Sequence, residues 1–502
     1  MNKKWITLFF ITIFLIAFLI SANVNYFDFD LWARLIAGMG VVDGHTVLKE
    51  DFLSYTPTHT WWDHEYGSGV IFYLFLKYFG GYSLILLQTV IIFLIVFVTI
   101  QIVKLRGNKS PYNFLFYIFP IIALATNFGH PIRCHLFSFL FFAIYLYILE
   151  YHRKSNSKTI YLLPVLTIIW NNLHGGVIAG LGLIVMYATA ELFDKKDIKA
   201  YLISGLLSVA VLIINPWGYE YIKFLVMANT MPRPDVMEWW GLFSKFHLYK
   251  QIPFKIFMLL TIALETIKIF NNRKKSTLAE TLKNIDKSKA IVLIVTLCLA
   301  IKHIKLLPFF VICGTAYCYE DFNELLETKL PKWTEKFTLI LIAAICIFGL
   351  TVKNYDLPLG KVEYPHREIE FLKINNLKGN LLINFGLGSF ASYKLYPNNK
   401  IYMDGRYEEV YNEDMVPLLK QFYLVKENWD EVLKKYPPDI IIIEKYYPIY
   451  EKLNSDPNWS NVYDTENFAV YVKTNEKKEK YKQPGNSLEY YKNTLFDTSV
   501  KF

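Results

Sequence analysis

The feature that most restricts this chain is a series of apolar runs, each near the length that crosses a lipid bilayer. Runs near residues 5–23, 82–104, 112–127, 134–151, 159–172, 175–193, 199–214, 253–270, 288–302, 305–319 and 336–352 reach or approach the roughly 20 residues a membrane helix needs. About eleven spans are expected, and the shorter runs imply tilted helices or helix ends lining a polar cavity. The composition agrees, since 54% of the 502 residues are hydrophobic and only 19% charged, more apolar than a soluble core of this size requires. The fold class expected is an α-helical polytopic membrane protein with a C-terminal α/β domain on the far side of the membrane.

The net charge of +9 does not form a nucleic-acid face, because the Lys and Arg fall in short clusters between apolar runs. With the N-terminus in the cytoplasm, MNKK, KLRGNK, HRKSNSK, DKKDIK, NNRKK and the segment containing KLPKWTEK all fall inside. The positive-inside rule then puts the first loop (24–66) and everything after 352 outside a cytoplasmic (inner) membrane. The start, MNKKWITLFFITIFLIAFLI, is basic like a signal peptide. Its apolar run is long and lacks a small-residue cleavage site, so it is expected to stay as the first span. Cys134, Cys298, Cys313, Cys318 and Cys346 lie in or beside apolar segments without metal spacing and read as packing residues.

Three regions follow: a transmembrane domain over 1–352, an α/β domain over 353–473, and a polar tail over 474–502 that either lies on that domain or is disordered. Within 353–473 the apolar stretches GNLLINF, KIYMDG and PDIIIIEK alternate with the helix-like EDMVPLLKQFYLV and NWDEVLKKY, the pattern of an α/β layer.

Candidate functional residues collect in the expected outer segments. The first loop is about 43 residues long, and loops of that length tend to be functional. It carries Asp28, Asp30, Asp51, Asp63 and Glu65 with His64, beside Trp61 and Trp62. Asp28 and Asp30 directly follow the first apolar run, where a carboxylate at the bilayer edge marks a site and could act as general base toward a hydroxyl. The competing role for Asp30 is to cap the helix suggested by LWARLIAGMG. His64 and Glu65 hold a sugar, bind a metal or cap the next helix, and an aromatic belt alone would explain the tryptophans.

Later outer segments add NFGHPIRCH with His130, Arg133 and His135, then WNNLHGG with Asn172 and His174 before two glycines, then a loop with Glu220, Asp235 and Glu238. HIKLLPF contributes His303 and Lys305. Arg133 is an outward arginine whose planar fork suits a phosphate, although it could instead snorkel to lipid phosphate. Gly175 and Gly176 would let a ligand approach the backbone beside His174. Together these residues suggest one outer vestibule of acids, amides and an arginine. In the terminal domain GLGS completes no phosphate-loop pattern, and the DGR of Asp404, Gly405 and Arg406 marks either a binding strand end or a simple turn.

The order FDFDLWARLIAG, WWDHE, HPIR, WNNLHGG, NPWG and GSFASYKLYPNNKIYMDGR resembles bacterial membrane proteins related to the C-type (GT-C) glycosyltransferases over about residues 5–470. The resemblance implies many membrane helices, short surface helices in the first outer loop, and a polyprenyl-phosphate-linked sugar as donor. It also implies an acidic catalytic base at the start of that loop, here Asp28 or Asp30, with Asp30 preferred because it directly precedes the LWARLIAG helix. Inverting displacement would have Arg133, with His303 or Lys305, hold the leaving phosphate. Trp61, Trp62, His64, Glu65, Asn172, His174 and Arg406 would contact the sugar or shape its pocket. The loop has no adjacent Asp-Glu or Asp-Asp pair, and the sequence specifies neither a divalent cation nor whether the acceptor hydroxyl belongs to a glycan, a lipid or a protein. Expected partners are membrane lipid and a lipid-linked sugar. The competing readings are a transporter or flippase, a polysaccharide polymerase or ligase, and a non-catalytic assembly protein of cell-envelope polysaccharide synthesis. Clean spans with charges in the outer loops favour transfer over transport.

Overall fold

The computed structural model describes the chain except residues 1–2, 108–110, 126–131, 235, 275–276, 328–330, 332, 353–354, 474–479 and 486, and except the side chains of 278–279, 282 and 326–327. His130 and Asp235 lie outside the described residues. The chain divides into two compact units, Met1–Val24 with Ile85–Tyr355, and Asn25–Leu84 with Asp356–Phe502. This grouping puts the first loop with the C-terminal region rather than with the helices that flank it.

The first unit is a helical membrane body. Five of its helices are long and apolar enough to cross a bilayer: Lys3–Ala22, Tyr82–Arg106, His135–Ser155, Gly175–Phe193 and Trp333–Val352. The other six apolar runs are also helical, at Phe114–Ala125, Leu163–Leu173, Lys199–Ala210, Ile252–Arg273, Lys287–Lys302 and Leu307–Glu327, but these are shorter or more charged. Helix ends beside the Lys/Arg-rich loops are joined by ion pairs. Arg106 donates to Glu150 at 2.7 Å and Asp286 at 2.6 Å, while Arg153 meets Glu191 and the same Asp286 at 2.9 Å. Lys289 bridges Asp321 at 2.8 Å and Glu265 at 2.5 Å. Such pairs add little net stability, but losing one partner costs about 3–5 kcal/mol, so the network fixes which helix ends meet.

In the second unit, the strands β1 (Gly379–Leu382), β2 (Asn399–Ile401), β3 (Ile440–Glu444), β4 (Ser460–Asp464) and β5 (Phe468–Val472) form one sheet in the order β2-β1-β3-β5-β4. β1 is parallel to β2 and β3, and β5 is antiparallel to β3 and β4. The parallel pairs are reached through the helix Gly388–Leu395 and through Met415–Tyr423 with Glu431–Lys435, because parallel strands need a crossover. The central β3, IIIIE, is buried at every position, which explains its unbroken apolar run. β4 and β5 were not read from the sequence.

The first loop is woven into this sheet. Ser54 bridges Ile401 in parallel fashion, with Tyr55 N donating to Ile401 O and Ile401 N to Leu53 O, both at 3.0 Å. Its helices Leu31–Val42 and Tyr66–Phe79 cross closely enough that a Cβ on Gly38 would stand 2.2 Å from Gly69 O, and one on Gly69 2.3 Å from Arg34 O. Only glycine fits at that crossing. The described end of the tail packs on the same unit: the Phe496 ring lies 5.2 Å from Phe27 and 5.7 Å from Trp32, and the buried Lys394 donates to Asp497 O at 2.8 Å.

Candidate functional site

The segment from Tyr26 to Leu31 is held by aromatic packing. Trp32 Nε1 donates to Tyr364 Oη at 2.8 Å, and that hydroxyl donates to Phe27 O at 2.9 Å. Asp28 is buried, and its Oδ1 accepts from Asp30 N at 3.1 Å. Asp30 occupies the N-cap position of Leu31–Val42, yet its side chain makes no capping hydrogen bond. Its carboxylate is half-buried and rests on the DGR turn, where a Cβ at Gly405 would fall 2.4 Å from Asp30 Oδ1. The cap that would have explained Asp30 as a helix start is therefore not made.

A charged cluster stands on the next turn of the same helix. Arg34, 3% exposed, pairs with Asp63, donates to Glu409 Oε2 at 2.8 Å, and lies 3.4 Å from Glu65. His64 Nδ1 approaches Glu409 Oε1 at 2.8 Å, and Trp61 Nε1 donates to Glu409 Oε2 at 3.0 Å. Burial works against charge on Glu409, but Arg34 and His64 hold its carboxyl below the usual range. Burial alone would lower His64, whereas Glu409 and Glu65 raise it to about 9, so it is an imidazolium at neutral pH. For Asp63, burial outweighs Arg34 and pushes the carboxyl up to about 7.

Arg406 is enclosed. It is 1% exposed, donates to Asp51 Oδ1 at 2.7 Å, Asp404 Oδ1 at 2.8 Å and Tyr411 Oη at 3.0 Å, and lies over the Trp61 ring at 4.7 Å. Burial opposes the charge on Asp51, and Arg406 overrides it to hold that carboxyl low. Arg406 thus ties the first loop to the DGR turn and offers no open face to a sugar. The Trp62 ring lies tilted against His59, with centroids 4.8 Å apart.

The membrane unit holds a separate polar group. Arg133 is ion-paired with Glu238. Burial works to raise Glu238, but Arg133 and Lys305 bring it down to about 2. Trp239, the next residue, receives Lys305 over its ring at 5.4 Å and Arg233 at 4.5 Å, while its carbonyl lies 2.5 Å from His303 Nδ1. His174 Nδ1 lies 2.7 Å from Ser138 Oγ and accepts from Gly176 N at 2.9 Å. A Cβ on Gly176 would stand 2.4 Å from Ser138 Oγ, so this glycine serves close packing rather than ligand approach. Asn172 Nδ2 donates to Ile168 O and Ile214 O, both at 2.8 Å, which fastens neighbouring helix ends.

No family model and no curated protein matches this chain. The geometry alone therefore ranks the candidates. Trp61, His64, Glu65 and Arg406 converge on Glu409 and the DGR turn, with Asp30 beside that turn at Gly405 and Asp28 bonded to the Asp30 backbone. Arg133, Lys305 and His303 gather about Glu238 and Trp239. Sequence reasoning did not single out Arg34 or Glu409. Arg34 had a local signal, a charge inside the apolar LWARLIAG, while Glu409 in RYEEVY had none.

Proposed function

We propose that this chain is a membrane glycosyltransferase of the C-type kind, moving a sugar from a polyprenyl-phosphate-linked donor to an acceptor hydroxyl on the extracytoplasmic side, with inversion at the anomeric carbon. The observation that carries the reading is Asp30: a half-buried carboxylate at the start of the first outer loop that does not cap its helix and is seated on Gly405. In this role Asp30 takes the proton of the acceptor hydroxyl as its oxygen attacks the anomeric carbon, and the phosphate leaves with the bonding electron pair. Asp28 orients it by accepting from its backbone N–H.

Within the membrane unit, Arg133 and Lys305 flank the Glu238 carboxylate, a pairing of cations that suits a phosphate. His64, Glu65, Trp61 and the enclosed Arg406 hold the loop that carries the base. The about eleven-span topology, with the N-terminus inside, belongs to the same proposal and is supported by helices at each apolar run and by ion pairs at the ends beside the basic loops. The test is sugar transfer from a polyprenyl-phosphate donor by purified protein in lipid. Asp30→Asn should abolish transfer with unfolding temperature unchanged, and full turnover by this variant would rule the reading out.

A further inference from the structure

A second site is present in the C-terminal unit. A cavity of about 310 Å³ opens between the first turn of the helix His366–Ile374, the turn at Leu359–Lys361 and the β4–β5 connection. That volume is at the lower end of small-ligand sites and suits one or two sugar rings. Lys361 and Arg367 line it, both exposed and neither making a hydrogen bond or ion pair among the described residues. Some other cations of this unit are paired, Lys77 with Asp43 at 2.5 Å and Lys445 with Asp464 at 2.8 Å.

The remaining walls are aromatic and amide. Tyr491 presents a half-buried ring, the buried Tyr364 backs the cavity, and Asn467 adds a polar side chain. The Tyr364 wall is fixed: its hydroxyl is engaged by Trp32 and Phe27, and Gly360, with φ +57°, packs so closely that a Cβ would stand 2.7 Å from the ring. Two acids also line the cavity. Glu368 is buried, accepts from Thr465 Oγ1 at 2.6 Å and is raised by that burial, whereas Glu466 is exposed. Two cations without a hydrogen bond or ion pair among the described residues thus line the cavity with one buried and one exposed carboxyl group, beside a tyrosine ring and an amide.

We infer that this cavity binds an acidic sugar, with the Arg367 fork and Lys361 taking its carboxylate or phosphate and the Tyr491 ring packing on its ring face. The inference goes beyond the transferase reading, because binding there requires no transfer.

The test titrates the full chain in detergent with digalacturonate, with glucose 1-phosphate and with neutral maltose, measured calorimetrically. At least one anionic sugar binds saturably, and the two arms show whether carboxylate or phosphate is preferred. A Lys361→Ala/Arg367→Ala variant weakens that binding at least tenfold, as does Arg367→Gln in part, and both side chains are exposed enough for the variants to fold. Maltose binds at least tenfold more weakly than the preferred anion. Asp30→Asn retains binding, which separates this site from the fate of the transferase reading. Equal affinity in the double variant, equal affinity for maltose, or no saturable binding of either anion overturns the inference.

Discussion

Arg34 Nη2 donates to Glu409 Oε2 at 2.8 Å, joining the helix Leu31–Val42 of the first loop to a residue 375 positions later in the chain. The guanidinium also reaches Asp63, so one buried cation serves two buried carboxylates. Arg34→Met leaves both acids without it, and the expected loss is about 3–5 kcal/mol. Chemical unfolding monitored by tryptophan fluorescence should show it, and adding Glu409→Gln to the variant should recover part of the loss. An unchanged unfolding midpoint in Arg34→Met would contradict the structural role.

His64 gives this unit a dependence on pH. Its folded pKa of about 9 lies above the unfolded value of 6.5, so its protonated pair with Glu409 stabilises fully below about pH 6.5. That contribution, on the order of 3 kcal/mol, disappears as pH rises through about 9. Melting temperatures measured from pH 6 to pH 9.5 should fall, and His64→Gln should flatten the slope. A wild-type profile no steeper than that of the variant would remove His64 from the account.

Gly405 sets where the Asp30 carboxylate can sit. A methyl group at 405 would occupy a point 2.4 Å from Asp30 Oδ1 and force the carboxylate aside. Displacing a reacting group by about 1 Å can cost 10²-fold in rate. Gly405→Ala should therefore lower sugar transfer by a factor approaching that, with stability changed by less than about 2 kcal/mol. Turnover equal to wild type would show that the Asp30 position is not critical.

Arg133 is paired with Glu238. Arg133→Ala should reduce transfer by about 10²–10³-fold, the usual effect of losing one donor to developing negative charge. Glu238→Gln frees the guanidinium and should preserve transfer. If both variants lost activity alike, the pair would be structural rather than a phosphate clamp.

Much of the architecture was readable because it is local. Each apolar run is a helix, and GNLLINF, KIYMDG and PDIIIIEK each contain a strand, since burial on one or both faces writes itself into short stretches of sequence. β4 and β5 were missed because SNVYD and FAVYV are brief and adjoin a lysine-rich tail. The charged cluster was harder. Trp61, His64 and Glu65 were each noticed, but Glu409, the acid on which Trp61 and His64 converge, lies some 345 residues away, and an ion pair across that distance leaves no period. Arg406 drew attention as DGR, and only its enclosure by Asp51, Asp404 and Tyr411 distinguishes a structural tie from a ligand contact.

The strand-like pairing of Leu53 and Tyr55 with Ile401 has a consequence for how the molecule is made. A ribosome delivers residues 25–84 well before their partners after 356, so the early segment must wait, its acids and Arg34 in water, while the intervening helices enter the membrane. Completion of that sheet edge therefore waits until the residues after 356 have been made. Residues 356–502 produced alone would carry β2 as a bare edge, open to pairing with other chains, and should aggregate unless residues 25–84 are supplied alongside.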